Sequence, residues 1–314
     1  MNKYLLTLTS FALTLSVNAQ TSITAKDYER AESFLSANTQ KFVDGTPGSI
    51  NWLANDQFWF TVKNQNGTET YLVDPAKKTK TLTTEYKETA STGGRRFGNR
   101  NEVVSPDGKK AVFIKDWNLY VRDVESKKET QLTTDGIKNY GYATDNAGWT
   151  MSDAPIVRWS PDSKKIATFQ QDQREVSDMY LVTTNVGAPV LKAWKYPLPG
   201  DKVIPTIRRV IIDVENAKVI SLNIPADPHR ASLSDDIASS GTFDDIDWKA
   251  DGSEMAFLST SRDHKNSKFR IADATTGTVR EVFEETVKTQ FESGRGAINW
   301  RYLPNTKEIL WYSE

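Results

Sequence analysis

The sequence lacks cysteine altogether and contains only two histidines, His229 and His264, among its 314 residues. Without cysteine the chain can form no disulfide and offers neither a thiolate nucleophile nor a cysteine-based zinc site. Two histidines that lie far apart in the sequence also argue against a histidine metal site. We therefore expect no metal and no cofactor.

An excess of charge of either sign is missing too. The 40 lysines and arginines nearly balance the 41 aspartates and glutamates, and the formal net charge is −1. Such a chain has no global electrostatic field that would attract nucleic acid or an anionic membrane surface. No nucleic-acid partner is therefore expected.

Long apolar runs are scarce, and the strongest lies at the N terminus. Lys3 supplies a basic start, and the apolar stretch that follows has about fourteen residues, fewer than the roughly twenty needed to span a bilayer. Residues 17–19 fit the small-x-small rule for signal cleavage. We expect a signal peptide over residues 1–19, export to the periplasm or the extracellular space, and no membrane span after cleavage. A retained membrane anchor is the alternative.

The best helix pattern covers residues 24–36. Thr24 can cap this helix, and Asp27, three residues later, completes a loose version of the capping box. The apolar residues that share one helical face are Tyr28, Ala31, Phe34 and Leu35. We expect a short helix that docks on the main body and has no chemical role.

A strand followed by a tight turn recurs five times after residue 49. In the clearest copy Trp159 ends the strand, Pro161 presets φ for the second turn position, and Asp162 tolerates the bent backbone that follows. Three of the four intervals between copies are about 50–55 residues, slightly more than a propeller blade of about 40–50 residues. The residues that anchor the five copies are Trp52, Val104, Trp159, Trp248 and Trp300. Such tryptophans more often pack between blades than bind ligands.

Further strands recur within the same repeat. Residues 71–74, 119–123 and 269–273 have the pattern of third strands, and each is followed by a polar turn and another short strand. Four strands per repeat predict an all-β fold. We expect a β-propeller of four-stranded blades, incomplete at about four and a half blades, over residues 49–314 after the short N-terminal helix. A β-sandwich with accidentally similar hairpins is the weaker alternative.

The interval between Trp159 and Trp248 is longer than the others. Residues 208–214 and 218–223 supply a third and a fourth strand, which leaves residues 171–206 as an insertion with one extra strand at 179–183. We expect one blade with a long insertion. The alternative is that residues 155–228 form two blades, one of which has lost its turn.

Several motifs in order resemble a known family. They are Ser105-Pro106-Asp107-Gly108, residues 118–123, residues 131–134, Trp159-Ser160-Pro161-Asp162, Tyr196-Pro197 and residues 311–314. Together they resemble the N-terminal propeller of the dipeptidyl peptidase IV family, within the prolyl oligopeptidase class of serine peptidases. The resemblance extends from about residue 24 to the end of the sequence.

The resemblance implies an eight-bladed propeller that restricts access to a C-terminal α/β-hydrolase domain with a Ser-His-Asp triad. This chain contains no Gly-x-Ser-x-Gly elbow, and Ser293 lacks the flanking glycines. We therefore assign no catalytic residue and expect a catalytic domain that is missing from this chain. The chain alone is predicted to be inactive, whereas the intact protein would gate and cleave peptides and could form a homodimer. The alternative is a non-enzymatic exported propeller that binds or scaffolds a partner.

The resemblance also directs attention to residues 140–153. Family members that release dipeptides carry a paired-glutamate motif here, which holds the free amino group of the substrate by charge. Residues 140–153 contain no glutamate. We name Asp145, Trp149 and Asp153 as candidate substrate-binding residues. The alternative for the two aspartates is turn capping.

Overall fold

A computed structural model describes residues 23–39, 42–53, 55–86, 101–144, 153–184, 186–228, 245–291 and 299–312. The predicted signal peptide, residues 1–19, lies outside these ranges. The chain divides into two compact units, Met1–Trp52 with Phe58–Glu88, and Leu53–Gln57 with Thr89–Glu314. No helix in the described ranges has the length and hydrophobicity needed to cross a membrane.

The first unit begins with two short helices, α1 (Ala25–Ser33) and α2 (Ser36–Thr39). The predicted capping box is confirmed, because the Thr24 N–H donates to Asp27 Oδ2 at 2.8 Å. No residue of α1 is buried, and the docking of this helix on the main body stays a prediction. The helix ends before Phe34 and Leu35, which therefore do not extend its apolar face and are 71% and 58% exposed.

The rest of the first unit is an antiparallel sheet in the order β2–β3–β4–β5, with β1 also paired to β3. The first predicted repeat thus forms a four-stranded blade. The strands are β1 (Thr46–Pro47), β2 (Asn51–Trp52), β3 (Phe58–Asn64), β4 (Gly67–Asp74) and β5 (Thr79–Leu82).

The second unit contains three more sheets of the same order and a final hairpin. The second blade comprises β6 (Val103–Val104), β7 (Lys110–Lys115), β8 (Asn118–Asp123) and β9 (Glu129–Gln131). The third comprises β10 (Arg158–Trp159), β11 (Lys165–Asp172), β14 (Thr206–Asp213) and β15 (Lys218–Ser221), with β16 (Asp227–Pro228) also paired to β14. The fourth comprises β17 (Ile246–Trp248), β18 (Glu254–Thr260), β19 (Asn266–Asp273) and β20 (Val279–Thr286), and the hairpin is β21 (Trp300–Leu303) with β22 (Glu308–Trp311). The predicted all-β class with four-stranded propeller blades is confirmed.

The long interval is one blade, because β11 pairs directly with β14 from Lys165↔Asp213 to Asp172↔Thr206. The insertion leaves the blade between these two strands. It holds a separate two-stranded sheet of β12 (Asp178–Thr183) and β13 (Val190–Lys195). The predicted extra strand is therefore present, and its partner β13 was missed.

Successive blades of the second unit share their cores. On β14 the neighbours Val210 and Ile211 point to opposite faces, because side chains alternate along a strand. Val210 packs in the core between the second and third blades, and Ile211 packs in the core between the third and fourth blades. Both residues are fully buried. This burial on both faces explains why apolar residues follow one another without alternation in Val210-Ile211-Ile212 of β14.

The repeated tryptophans connect neighbouring blades through hydrogen bonds as well as packing. Trp159 Nε1 donates to the Val103 carbonyl at 3.2 Å, and Trp248 Nε1 donates to the Arg158 carbonyl at 3.3 Å. In both cases the acceptor belongs to the first strand of the preceding blade. The prediction that these side chains pack between blades is confirmed.

The serine and aspartate of each Ser-Pro-Asp turn hold the turn closed. Ser160 Oγ donates to Asp162 Oδ1 at 2.6 Å and accepts from the Lys165 N–H at 2.9 Å. In the second blade Ser105 Oγ makes the corresponding bond to Asp107 Oδ1 at 2.6 Å. The turn chemistry therefore explains why these residue types recur.

Replacement of Ser105 by alanine is expected to raise the pKa of Asp107. The hydrogen bond from Ser105, followed by that from the Lys109 N–H, holds this pKa below its ordinary value of 3.8. A lowered carboxyl pKa stabilises the fold above the pKa of the unfolded chain, and this contribution disappears as the pH falls through the folded pKa. An NMR titration of the Asp107 carboxyl carbon measures the change. Ser105→Thr keeps the hydroxyl and is the control, and an unchanged pKa in Ser105→Ala would contradict the assignment.

Candidate functional site

The predicted substrate-binding residues belong to the connection between β9 and β10. Asp145 and Trp149 lie outside the described residues. Asp153 is described, and it is exposed beside the start of the third blade. The convergence of these three residues therefore stays a prediction.

Both ends of this connection are fastened to the third blade. The Ala143 N–H donates to the Phe169 carbonyl at 2.9 Å, and the Ile156 N–H donates to the Ala143 carbonyl at 2.9 Å. The Gln171 N–H also donates to the Gly141 carbonyl at 2.9 Å. Ala143 and Ile156 therefore lie at one place, beside the end of β11.

Four polar side chains meet at this place, and we call Asp135, Tyr142, Gln170 and Arg208 the loop-base cluster. Tyr142 Oη donates to Asp135 Oδ1 at 2.8 Å, and Gln170 Nε2 donates to Asp135 Oδ2 at 3.4 Å. Arg208 Nη2 donates to Gln170 Oε1. Tyr142 and Gln170 are buried, whereas Asp135 is exposed. The cluster thus has one accessible carboxylate, that of Asp135, which is hydrogen-bonded to buried polar side chains.

Burial keeps the Tyr142 side chain of the loop-base cluster uncharged. Burial, followed by the hydrogen bond to Asp135, raises the pKa of Tyr142 far above its ordinary value. The phenol therefore keeps its proton and remains a donor to the carboxylate. Arg208 Nε is buried and has no hydrogen-bond partner among the described residues. The accessible Asp135 carboxylate can accept hydrogen bonds from a polar or cationic ligand, whereas the unpaired Arg208 Nε is too deeply buried to reach one.

A strained turn borders the cluster. The hairpin between β7 and β8 has only two loop residues, Asp116 and Trp117, because Lys115 pairs with Asn118. Both have positive φ, 50° and 60°. This conformation suits a type I′ turn, in which glycine is preferred at the second position. A left-handed conformation costs about 1–2 kcal/mol for a residue with a Cβ, so Trp117 is an unfavourable choice for the turn itself.

The strained turn is held by its neighbours. The Trp117 carbonyl accepts from the Tyr142 N–H at 2.9 Å. A Cβ on Gly136 would lie 2.2 Å from the Trp117 carbonyl oxygen, and a Cβ on Gly141 would lie 3.1 Å from the Trp117 Cβ. The two glycines therefore allow the connecting segment to approach the turn closely. The indole nevertheless remains 40% exposed.

An aromatic and charged group forms the neighbouring rim. The Arg174 guanidinium lies 4.0 Å from the centre of the Tyr140 ring. It also binds both carboxylate oxygens of Asp172, at 2.9 and 2.7 Å. Because Arg174 and Asp172 neutralise each other, the rim adds aromatic surface without net charge.

Sequence reasoning missed the loop-base cluster and the strained turn. Tyr142 was inside the segment that the resemblance singled out, but Gln170 and Arg208 are distant in sequence and reach it only through the pairing of β11 with β14. Trp117 did leave a signal, because a two-residue hairpin with tryptophan in the place of glycine is unusual. His264 lies in the turn between β18 and β19 and is not part of this site, and His229 is outside the described residues. Within the described ranges no group of three or more acidic or histidine side chains could hold a metal ion.

Comparison with known proteins assigns residues 99–314 to a family model described as the dipeptidyl peptidase IV N-terminal region. A probable dipeptidyl-aminopeptidase B of Aspergillus fumigatus is 26% identical over 203 residues, which cover 58% of this chain and 20% of the relative. A probable dipeptidyl-aminopeptidase B of Talaromyces marneffei is 29% identical over 144 residues, 38% of this chain and 15% of the relative. The chain thus spans only about a fifth of the length of these relatives.

Among solved structures, the chain is similar to dipeptidyl peptidase 4 of Porphyromonas gingivalis, with 16% identity and a TM-score of 0.49 over 78% of this chain and 31% of that one. A putative TolB from Agrobacterium tumefaciens is 14% identical, with a TM-score of 0.34 over 86% of this chain and 91% of that one.

Proposed function

Because the chain belongs to the family of dipeptidyl peptidase IV N-terminal regions, we propose that it is the substrate-gating propeller of an exported serine peptidase. The catalytic α/β-hydrolase groups would lie outside these 314 residues. The family match carries this proposal. The absence of a Gly-x-Ser-x-Gly elbow from the sequence supports the proposal that the catalytic groups lie outside these residues.

The proposed role of the propeller is to admit and orient peptides. The connection between β9 and β10 would contact the substrate through Asp145, Trp149 and Asp153, and Asp135 would add its accessible carboxylate. Carboxylates attract the protonated amino group at the start of a peptide and bind it by charge-assisted hydrogen bonds. Large folded proteins would be excluded by their size.

Export to the periplasm or the extracellular space is part of the same proposal, and it depends on cleavage of residues 1–19. A homodimer of the intact protein is a further part of it. The alternative, a propeller that only scaffolds a partner protein, predicts that peptides do not bind at the connection between β9 and β10.

Short peptides with a free amino terminus are expected to bind the purified chain, and their N-acetylated forms are expected to bind at least about tenfold more weakly, because acetylation removes the charge. Fluorescence titration with matched tripeptides measures both affinities. Asp153→Asn and Asp135→Asn should reduce the tenfold difference. Asp123→Asn, in a turn of the second blade, is the control that should keep it. No hydrolysis of a chromogenic dipeptide substrate is expected.

Two results would contradict the proposal. Equal or absent binding of the free and acetylated peptides would remove the gating role and favour the scaffold. Hydrolysis by the pure chain that disappears in a histidine variant would place catalysis within these 314 residues.

A further inference from the structure

We infer that Trp117 is a specificity-determining residue for peptides held at Asp135, where its indole contacts a large apolar side chain of the bound peptide. This inference rests on the proposed function and deepens it. It is carried by three features of the strained turn: its backbone conformation, the close packing around it, and the exposure of the indole.

The backbone conformation argues against a purely structural choice of residue. With φ of 60°, Trp117 occupies a position where glycine or asparagine would be accommodated without the same steric conflict. Backbone strain of this kind persists where contacts with the surrounding structure hold the backbone in place, and it is concentrated at binding and catalytic sites. Among the described non-glycine residues with positive φ, Trp117 is the one with a large apolar side chain, and this choice points to a role for the side chain beyond the turn.

The packing around the turn holds the backbone and one edge of the indole, and it leaves the rest of the ring accessible. Gly136 and Gly141 permit the close approach, and the Tyr142 N–H binds the Trp117 carbonyl. In contrast, the tryptophans that join the blades bury their rings, as Trp159 and Trp248 do at 7% and 8% exposure. The Trp117 indole is 40% exposed on a turn whose backbone is held by its neighbours, and it is therefore positioned to contact a ligand.

The position of Trp117 indicates the chemistry of that ligand. The turn is bonded to Tyr142, whose hydroxyl donates to the accessible Asp135 carboxylate. In the inferred binding mode, a peptide whose amino terminus is held near Asp135 extends towards the indole. Tryptophan offers a large, rigid apolar surface with little loss of conformational entropy on binding. The contact selects peptides with a large aliphatic or aromatic side chain near the amino terminus.

Trp117→Asn tests this inference, because asparagine tolerates the left-handed turn but lacks the apolar surface. The wild-type chain is expected to bind tripeptides with phenylalanine or leucine at the second position about tenfold more tightly than the alanine peptide, a typical effect for an apolar contact. In Trp117→Asn this preference should fall to about twofold or less. The melting temperature should rise by about 2 °C, since strain is relieved. Tyr180→Asn, which removes an exposed ring from β12, is the control and should keep the preference.

The outcomes separate this inference from the function on which it rests. A tenfold preference that survives in Trp117→Asn would overturn the role of Trp117 and leave peptide gating intact. A fall in melting temperature with unchanged preference would make Trp117 a structural residue. If the wild-type chain binds none of the peptides, both the proposed function and this inference are wrong.

Discussion

Replacing Trp248 by alanine is expected to lower the free energy of unfolding of the chain by about 3–5 kcal/mol. The Trp248 side chain is 8% exposed and belongs to the core that joins the third and fourth blades. Its indole N–H also donates to the Arg158 carbonyl at 3.3 Å. Truncation therefore removes apolar burial, leaves a cavity between two blades and frees a backbone acceptor. Urea titration followed by circular dichroism measures the loss.

Two variants separate the contributions of packing and hydrogen bonding at Trp248. Trp248→Phe keeps an aromatic ring and should cost clearly less than the alanine variant, although it loses the bond to Arg158. Tyr180→Ala, on the exposed hairpin strand β12, should cost less than about 0.5 kcal/mol. A loss below about 1 kcal/mol in Trp248→Ala would mean that the tryptophan does not join the blades.

Replacing Asp227 by alanine is expected to cost about 3–5 kcal/mol, because it leaves the buried Arg209 guanidinium without its carboxylate, whereas Arg270 keeps its ion pair with Glu281. Arg209 Nε donates to Asp227 Oδ2 at 2.7 Å, and Ser259 Oγ donates to the same oxygen at 2.7 Å. Arg270 Nη1 lies 3.7 Å from Asp227 Oδ1. The arginine side chains are 4% and 10% exposed, so water cannot replace the lost carboxylate.

The measurement for Asp227→Ala is again the free energy of unfolding, compared with a matched surface pair. Asp172→Asn breaks the ion pair between Asp172 and Arg174, whose side chains are 37% and 47% exposed respectively. Because this pair is exposed to water, its loss should cost less than about 1 kcal/mol. Asp227→Asn keeps the shape of the side chain and one acceptor oxygen. Its cost in free energy of unfolding should lie between those of Asp227→Ala and Asp172→Asn. Equal costs for Asp227→Ala and Asp172→Asn would show that the buried network does not stabilise the contact between the third and fourth blades.

The turns and strands could be predicted from the sequence because their chemistry is local. Ser160 and Asp162 close their turn within a few residues, and the apolar runs of β11 and β14 require burial wherever they are placed. The docking of the helix does not follow from local chemistry in the same way. Thr24 and Asp27 determine where α1 begins, but its contacts depend on residues elsewhere, and the apolar face ended before Phe34.

The candidate site likewise combines a feature that the sequence predicts with contacts that only the structure shows. Residues 140–153 could be located by resemblance, since the motif order is linear. The loop-base cluster could not, because Gln170 and Arg208 approach Asp135 only when β11 and β14 pair and the connecting segment runs along β11. Trp117 was visible in the sequence as a residue poorly suited to its turn. Its exposure, and the glycines that surround it, required the structure.

The sequence by itself determined the repeat, the turn chemistry, the class of fold and the lack of a catalytic elbow, because each of these is a property of neighbouring residues. Only the tertiary structure decided which distant partners meet. Trp248 and the Arg158 carbonyl are 90 positions apart, and Asp227 lies 32 positions from Ser259. Hydrophobicity specifies that these segments are buried, but it is non-directional. The stacking of blades selects the partners, and it also leaves the indole of Trp117 facing solvent beside the connection between the second and third blades.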